Sequence, residues 1–200
     1  MPRLAVDVKE ARRSHILAAA QRCFARSGYH LTTIDDIAAE AGVSKGAPYV
    51  YFESKEALFR ELYEQWECGL NDRIDASVAG LDDDARRSPR QILEMVINAV
   101  GDHVTENEDL CRVLNEVETQ AAYLDVVAET VRASHDSAQT RLRDLIEEVK
   151  ACGEWPPETD AVLEARLILA TLNGLMTEWH LKPGSFSWSQ VASRLAGAGS

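Results

Sequence analysis

Apolar positions recur at helical spacing along almost the whole chain. Between Arg12 and Arg26, Ile16, Ala20 and Phe24 stand four residues apart with Leu17 beside them, the stripe of an amphipathic helix. Ser27-Gly28 ends it, because glycine suits the left-handed position after a helix. Thr33 reads as the next N-cap, with Asp36 three residues on in capping-box position. Ile34, Ile37, Ala38 and Ala41 then form the buried stripe of a short second helix. Gly42 breaks it, Val43 plugs the gap, and Ser44 caps a third helix expected to run to Tyr51. Two short helices joined by a tight glycine-containing turn are the sequence form of a helix-turn-helix. Ser54 opens a long helix with Leu58, Leu62 and Trp66 on one face.

Beyond a charged loop at Asp82 to Arg87, Ser88-Pro89-Arg90-Gln91 combines a serine cap, a proline at the first helical position and a glutamine three residues after the cap. Ile92, Leu93, Val96, Ile97 and Val100 follow, then Leu110, Val113, Leu114 and Val117. A long helix is expected from Tyr123 to Ala151, stopped by Gly153-Glu154-Trp155-Pro156-Pro157. Another runs from Thr159 to about Leu181, and a last short one starts at Ser187 with Gln190 completing a capping box. No segment alternates with the period of a strand. The pattern predicts an all-α protein of nine or ten helices. A three-helix helix-turn-helix domain is expected in residues 1–55 and a second helical domain in residues 56–200.

Charge divides the chain the same way. The net charge of −12 is wrong for an evenly charged DNA-binding protein. Residues 1–66, however, hold nine basic and nine acidic side chains, whereas residues 67–200 hold 12 and 24. An acidic body repels phosphate, so any DNA contact is confined to the neutral N-terminal part.

Candidate chemistry is otherwise sparse. Cys23, Cys68, Cys111 and Cys152 form no close pair and read as reduced thiols, not a zinc motif. The five histidines are scattered, and no Gly-x-Ser-x-Gly or glycine-rich phosphate loop occurs. Neither catalysis, nor a metal, nor a cofactor is expected. The charged first residues and the lack of a long apolar run predict a cytoplasmic protein without a membrane span.

Five fragments carry a resemblance: Ile16-Leu17-x-Ala19-Ala20; Phe24-Ala25-x-x-Gly28-Tyr29; Thr32-Thr33-Ile34-x-x-Ile37-Ala38; Ala41-Gly42-Val43-Ser44-Lys45-Gly46; and Tyr49-x-Tyr51-Phe52-x-Ser54-Lys55-x-x-Leu58. Together they resemble the DNA-binding domain of TetR-type regulators. Leu172-Asn173-Gly174-Leu175 and the ending from Trp179 to Phe186 look like that family's dimerisation helix and tail. The resemblance implies a sequence-specific transcriptional regulator, a homodimer that leaves a palindromic operator when a small-molecule inducer binds its body. It assigns ligand sensing and dimerisation to the helical domain at residues 56–200.

The DNA-contacting set this implies is Thr33, Ser44, Lys45, Gly46, Ala47, Tyr49, Tyr51 and Lys55. Ser44 to Ala47 offer a hydroxyl, an ammonium, a bare backbone and a methyl to base edges. Thr33, Tyr49, Tyr51 and Lys55 hold the phosphate backbone. Arg3, Arg12 and Arg13 are candidates for a basic arm. The candidate inducer-contacting residues are Trp66, Asn98, His103, Asn115, Glu118, Thr119, Tyr123, Asn173, Met176 and Trp179. Dimerisation is expected through the two long C-terminal helices, with Gly174 at a close approach. Pro48 departs from the aliphatic residue usual in the family, and predicts a recognition helix that starts one or two residues late or opens in its first turn. The competing class is a dimeric helical ligand-binding protein of the same fold that has lost operator binding.

Overall fold

The computed structural model describes residues 2–80, 88–120 and 125–197. Among them are eight α-helices, one 3-10 turn and no strand. Two compact units share the chain. The first comprises Met1–Trp66 and Arg112–Thr130, the second Glu67–Cys111 and Val131–Ser200.

In the first unit, α1 spans Pro2–Ser27, starting ten residues before the stripe at Arg12 to Arg26 predicted. Pro2 sits where a helix tolerates proline, and the residues between it and Arg12 contain no breaker. Gly28 ends α1 in the left-handed region, φ 78°. α2 spans Ile34–Glu40, and α3 begins at Lys55 and continues to Ala79. Ile16, Phe24, Ile37, Leu58 and Phe59 are all but inaccessible to water. Tyr29 joins them, its ring centroid 5.4 Å from that of Phe24 and 5.3 Å from that of Phe59. Val117, from the second stretch of this unit, is equally buried.

Between α2 and α3 the structure corrects an expectation. There is no α-helix from Ser44 to Tyr51, only a 3-10 turn at Pro48–Val50. Pro48 has no N–H to donate back to the Ser44 carbonyl, so one α-helical bond is lost although Ala47 keeps α-region geometry, φ −63° and ψ −40°. The segment therefore closes with shorter bonds: the N–H groups of Val50 and Tyr51 reach the carbonyls of Ala47 and Pro48 at 3.2 and 3.0 Å. This accounts for eight α-helices among the described residues instead of nine or ten.

The second unit holds α4 (Pro89–Glu106), the start of α5 (Glu108–Gln120), most of α6 (Asp125–Ala151), α7 (Ala161–Leu181) and α8 (Trp188–Ala196). Ser88 caps α4 as expected, its hydroxyl accepting from the Gln91 N–H. α7 starts later than expected, because Asp160, not Thr159, accepts from the N–H groups of Val162 and Leu163. Ser187 precedes α8 without a side-chain cap; its hydroxyl lies 2.8 Å from that of Ser189 instead. The loop predicted at Asp82 to Arg87 and the expected start of α6 at Tyr123 lie outside the described residues.

A tail clasp closes this unit. α8 packs on α4, where Gly101 leaves the space that Trp188 fills; a Cβ there would stand 2.4 Å from the indole. Trp179, Phe186 and Trp188 pack ring against ring at centroid distances of 5.0 to 6.2 Å. Buried Trp155 donates its indole N–H to the Ala196 carbonyl at 2.9 Å.

Candidate nucleic-acid interface

Thr33 sets the start of α2. Its hydroxyl accepts from the Asp36 N–H at 3.2 Å, while the Asp36 carboxylate accepts from both the Thr33 N–H (2.9 Å) and the Thr33 hydroxyl (2.6 Å). The capping box read from the sequence is therefore present. The bonds from Thr33 hold the Asp36 carboxyl below its ordinary range. At the other end of α2, Arg22 and Arg26 of α1 both donate to Glu40, at 2.8 and 3.2 Å, and hold that carboxyl low as well. α2 is thus fixed at both ends to its surroundings within the unit.

After Gly42, in the left-handed region at φ 63°, Ser44, Lys45 and Gly46 are exposed to solvent. Ala47 and Tyr51 are half-buried, Pro48 is buried and Tyr49 is 59% exposed. The turn thus points one tyrosine outward and tucks its proline inward. A Cβ added at Gly46 would meet nothing within 4 Å. The fold itself therefore places no demand for glycine there; bareness matters only to something approaching from outside. Lys45 Nζ lies 2.5 Å from the Asp35 carboxylate, and that bond raises the lysine's pKa. Its ammonium stays charged, and a solvent-exposed pair of this kind adds little stability, so it yields to a better partner.

Lys55, assigned to the phosphate backbone by resemblance, makes contacts within the chain. Its ammonium donates to the carbonyls of Tyr29 (2.9 Å), His30 (3.3 Å) and Thr32 (3.0 Å) and lies 4.5 Å over the Tyr29 ring. All three of its donors are thereby satisfied within the chain. The basic arm also changes character. Arg13 pairs with Glu61 and lies 4.9 Å over the Phe52 ring, and Arg12 is exposed on a continuous helix. The Arg3 side chain lies outside the described residues. Sequence reasoning missed these partners, Glu61, Glu40 and the 29–32 carbonyls, because they are 14 to 48 residues away and no local spacing announces them.

The inducer candidates fall in both units. In the first, Trp66 is buried, Asn115 half-buried, and Glu118 accepts from the Tyr63 hydroxyl at 2.8 Å. In the second, Cys111 Sγ lies 3.8 Å from Met176 Sδ, Trp179 belongs to the aromatic clasp, and Asn98 and Asn173 are half-buried. Buried His103 lines an open surface groove of about 600 Å³ in this unit, with Gly69, Asp72, Arg73, Ser77 and Asn107. The side chains of Thr119 and Tyr123 lie outside the described residues. Among the described residues no cluster fits a metal ion, and no helix is long and apolar enough to cross a membrane.

The capped helix, the exposed turn and the helical second unit agree with comparison to known proteins. Residues 16–62 match the family of bacterial regulatory proteins of the tetR type, and residues 89–197 match the C-terminal domain of BetI-type transcriptional repressors. The chain belongs to the TetR family. It is a DNA-binding transcriptional regulator. The regulator AcrR of Shigella flexneri is 28% identical over 184 residues, covering 90% of this chain and 83% of that protein. YfiR of Bacillus subtilis is 41% identical over 63 residues, 32% of this chain and 31% of that regulator. The fold is that of FadR from Bacillus subtilis, solved in complex with stearoyl-CoA, with a TM-score of 0.77 at 20% identity over 92% of this chain and 95% of that one.

Proposed function

We propose that this TetR-family regulator works in the cytoplasm as a homodimer that seats two Ser44–Tyr51 turns in successive major grooves of a near-palindromic operator, about 34 Å apart. Residues 1–55 act as the reading head and residues 56–200 as the sensing and dimerising body. Gly46 carries the reading: a glycine with open space around it, in the one stretch where the acidic chain is neutral and its side chains point outward. Ser44, Lys45, Gly46 and Ala47 meet base edges, with Lys45 leaving Asp35 for a guanine or a phosphate. Thr33, Tyr49 and Tyr51 hold the backbone and set the register.

The dimer forms through α6 and α7. On α7, Leu163, Leu167 and Leu181 are exposed at 51%, 51% and 77%, and Gly174 on the same helix has nothing within 4 Å of a Cβ. A row of exposed leucines beside a glycine suits close packing against a second helix. A small molecule seated in the His103 groove or among the other candidate side chains shifts the dimer between a DNA-competent and a released state, by binding one better than the other. The protein carries out no catalysis. Selection from random duplex DNA tests the reading. It is expected to enrich one palindromic motif whose affinity falls steeply with salt. No enrichment would leave standing the alternative of a same-fold ligand-binding protein without an operator.

A further inference from the structure

A lysine at the first residue of a helix is badly placed for that helix, because the N-terminal end carries partial positive charge and favours carboxylates. Lys55 nevertheless opens α3. Such local conflicts mark positions held for another reason.

The reason lies in the corner between α1 and α2. Beyond Gly28 the chain leaves helical geometry, and the carbonyls of Tyr29, His30 and Thr32 lose their helical partners. All three converge on Lys55 Nζ, at 2.9, 3.3 and 3.0 Å. The Thr32 hydroxyl completes the corner from inside, donating to the Gly28 carbonyl at 2.8 Å. Thr32 is buried and directly precedes Thr33, the cap of α2. Whatever fixes the Thr32 carbonyl therefore fixes where α2 starts, and α2 packs on the Pro48–Val50 turn.

Granted the DNA-reading role of this unit, we propose that Lys55 is a positioning residue: its ammonium ties the 29–32 corner to the start of α3 and so sets the pose of α2 and the recognition turn, without gripping phosphate itself. A tetrahedral ammonium sends three N–H bonds to three carbonyls around one point. A planar guanidinium does not reproduce that arrangement.

The test compares Lys55→Met and Lys55→Arg with the parent dimer, first free and then on the selected duplex. In the free protein, amide exchange at Ile34–Glu40 is expected to speed up about tenfold in both variants while amides of α6 stay unchanged. This outcome needs no DNA and stands even if the DNA-reading role fails. On DNA, both variants are expected to bind about tenfold more weakly, with the slope of log affinity against log salt unchanged. Full binding by Lys55→Arg, together with a slope shallower by about one in Lys55→Met, would instead mark a phosphate contact and overturn the proposal. Unaltered exchange at Ile34–Glu40 in both variants would overturn it too.

Discussion

The two units of this protein are built on opposite plans. Around its apolar core the reading unit is oriented by polar detail: the Thr33–Asp36 box, two arginines on Glu40, and Lys55 on three carbonyls. The body is held at its tail by shape, with an indole filling the space a glycine leaves and three aromatic rings packed edge to face. Polar ties fix direction, which a surface that reads base edges needs. Apolar packing fixes proximity and tolerates small shifts, which suits a unit that adjusts around a ligand. The difference teaches where each kind of substitution is felt.

The largest effect is expected in the body. Glycine inside a helix normally costs about 1 kcal/mol relative to alanine, so Gly→Ala there is ordinarily stabilising. At Gly101 the sign reverses, because the new Cβ meets Trp188 at 2.4 Å. Overpacking of that kind costs about 1–3 kcal/mol. Thermal unfolding of Gly101→Ala is expected to show a melting point lower by several degrees, and a rise would break the account of the clasp. Trp155→Phe comes next, since it leaves the buried Ala196 carbonyl unpaired at a cost of about 1–3 kcal/mol. Urea unfolding measures it, and an unchanged midpoint would contradict it.

A smaller effect is expected in the head. Thr33→Ala removes the cap and costs about 1 kcal/mol. Operator affinity, measured where the variant is fully folded, should fall by more than global stability alone explains. Equal losses in the two would erase the proposed distinction between the units. The head should also be the acid-sensitive part. Asp36 and Glu40 have lowered pKa values when folded, so their contribution is present above the unfolded carboxylate range, near about pH 4, and is lost as pH falls through the folded values. Protection of α2 amides, corrected for the intrinsic pH dependence of exchange, is expected to fall as pH drops below about 4, and Glu40→Gln should flatten that fall. The smallest effect is at Gly174, where alanine meets nothing in one chain and favours the helix by up to about 1 kcal/mol. Sedimentation should nevertheless show a weaker dimer; a stronger one would move the close approach away from Gly174.

The same contrast explains what the sequence revealed. Caps such as Thr33 and Ser88, and the stop at Gly153, are contacts within a few residues, so spacing announces them. The recognition segment was half legible. Pro48 foretold a disturbed helix, but its burial and the i to i+3 bonds that replace an α-helix follow from its surroundings. Lys55 matched a family pattern and still turned inward, because three carbonyls left over at the end of α1 needed a donor. Glu61 for Arg13 and the two-arginine seat on Glu40 depend on helices meeting, which no single stretch encodes. The candidate ligand residues of the body were least legible, since a helical stripe says which side chains face inward and not which of them line a pocket.

The central claim is that DNA meets only the neutral N-terminal part. Amide exchange of the dimer, free and bound to the selected duplex, measures this directly. The account predicts new protection across Thr33–Tyr51 and none on the solvent faces of α6 and α7. Protection of the acidic body with residues 33–51 unchanged would contradict it.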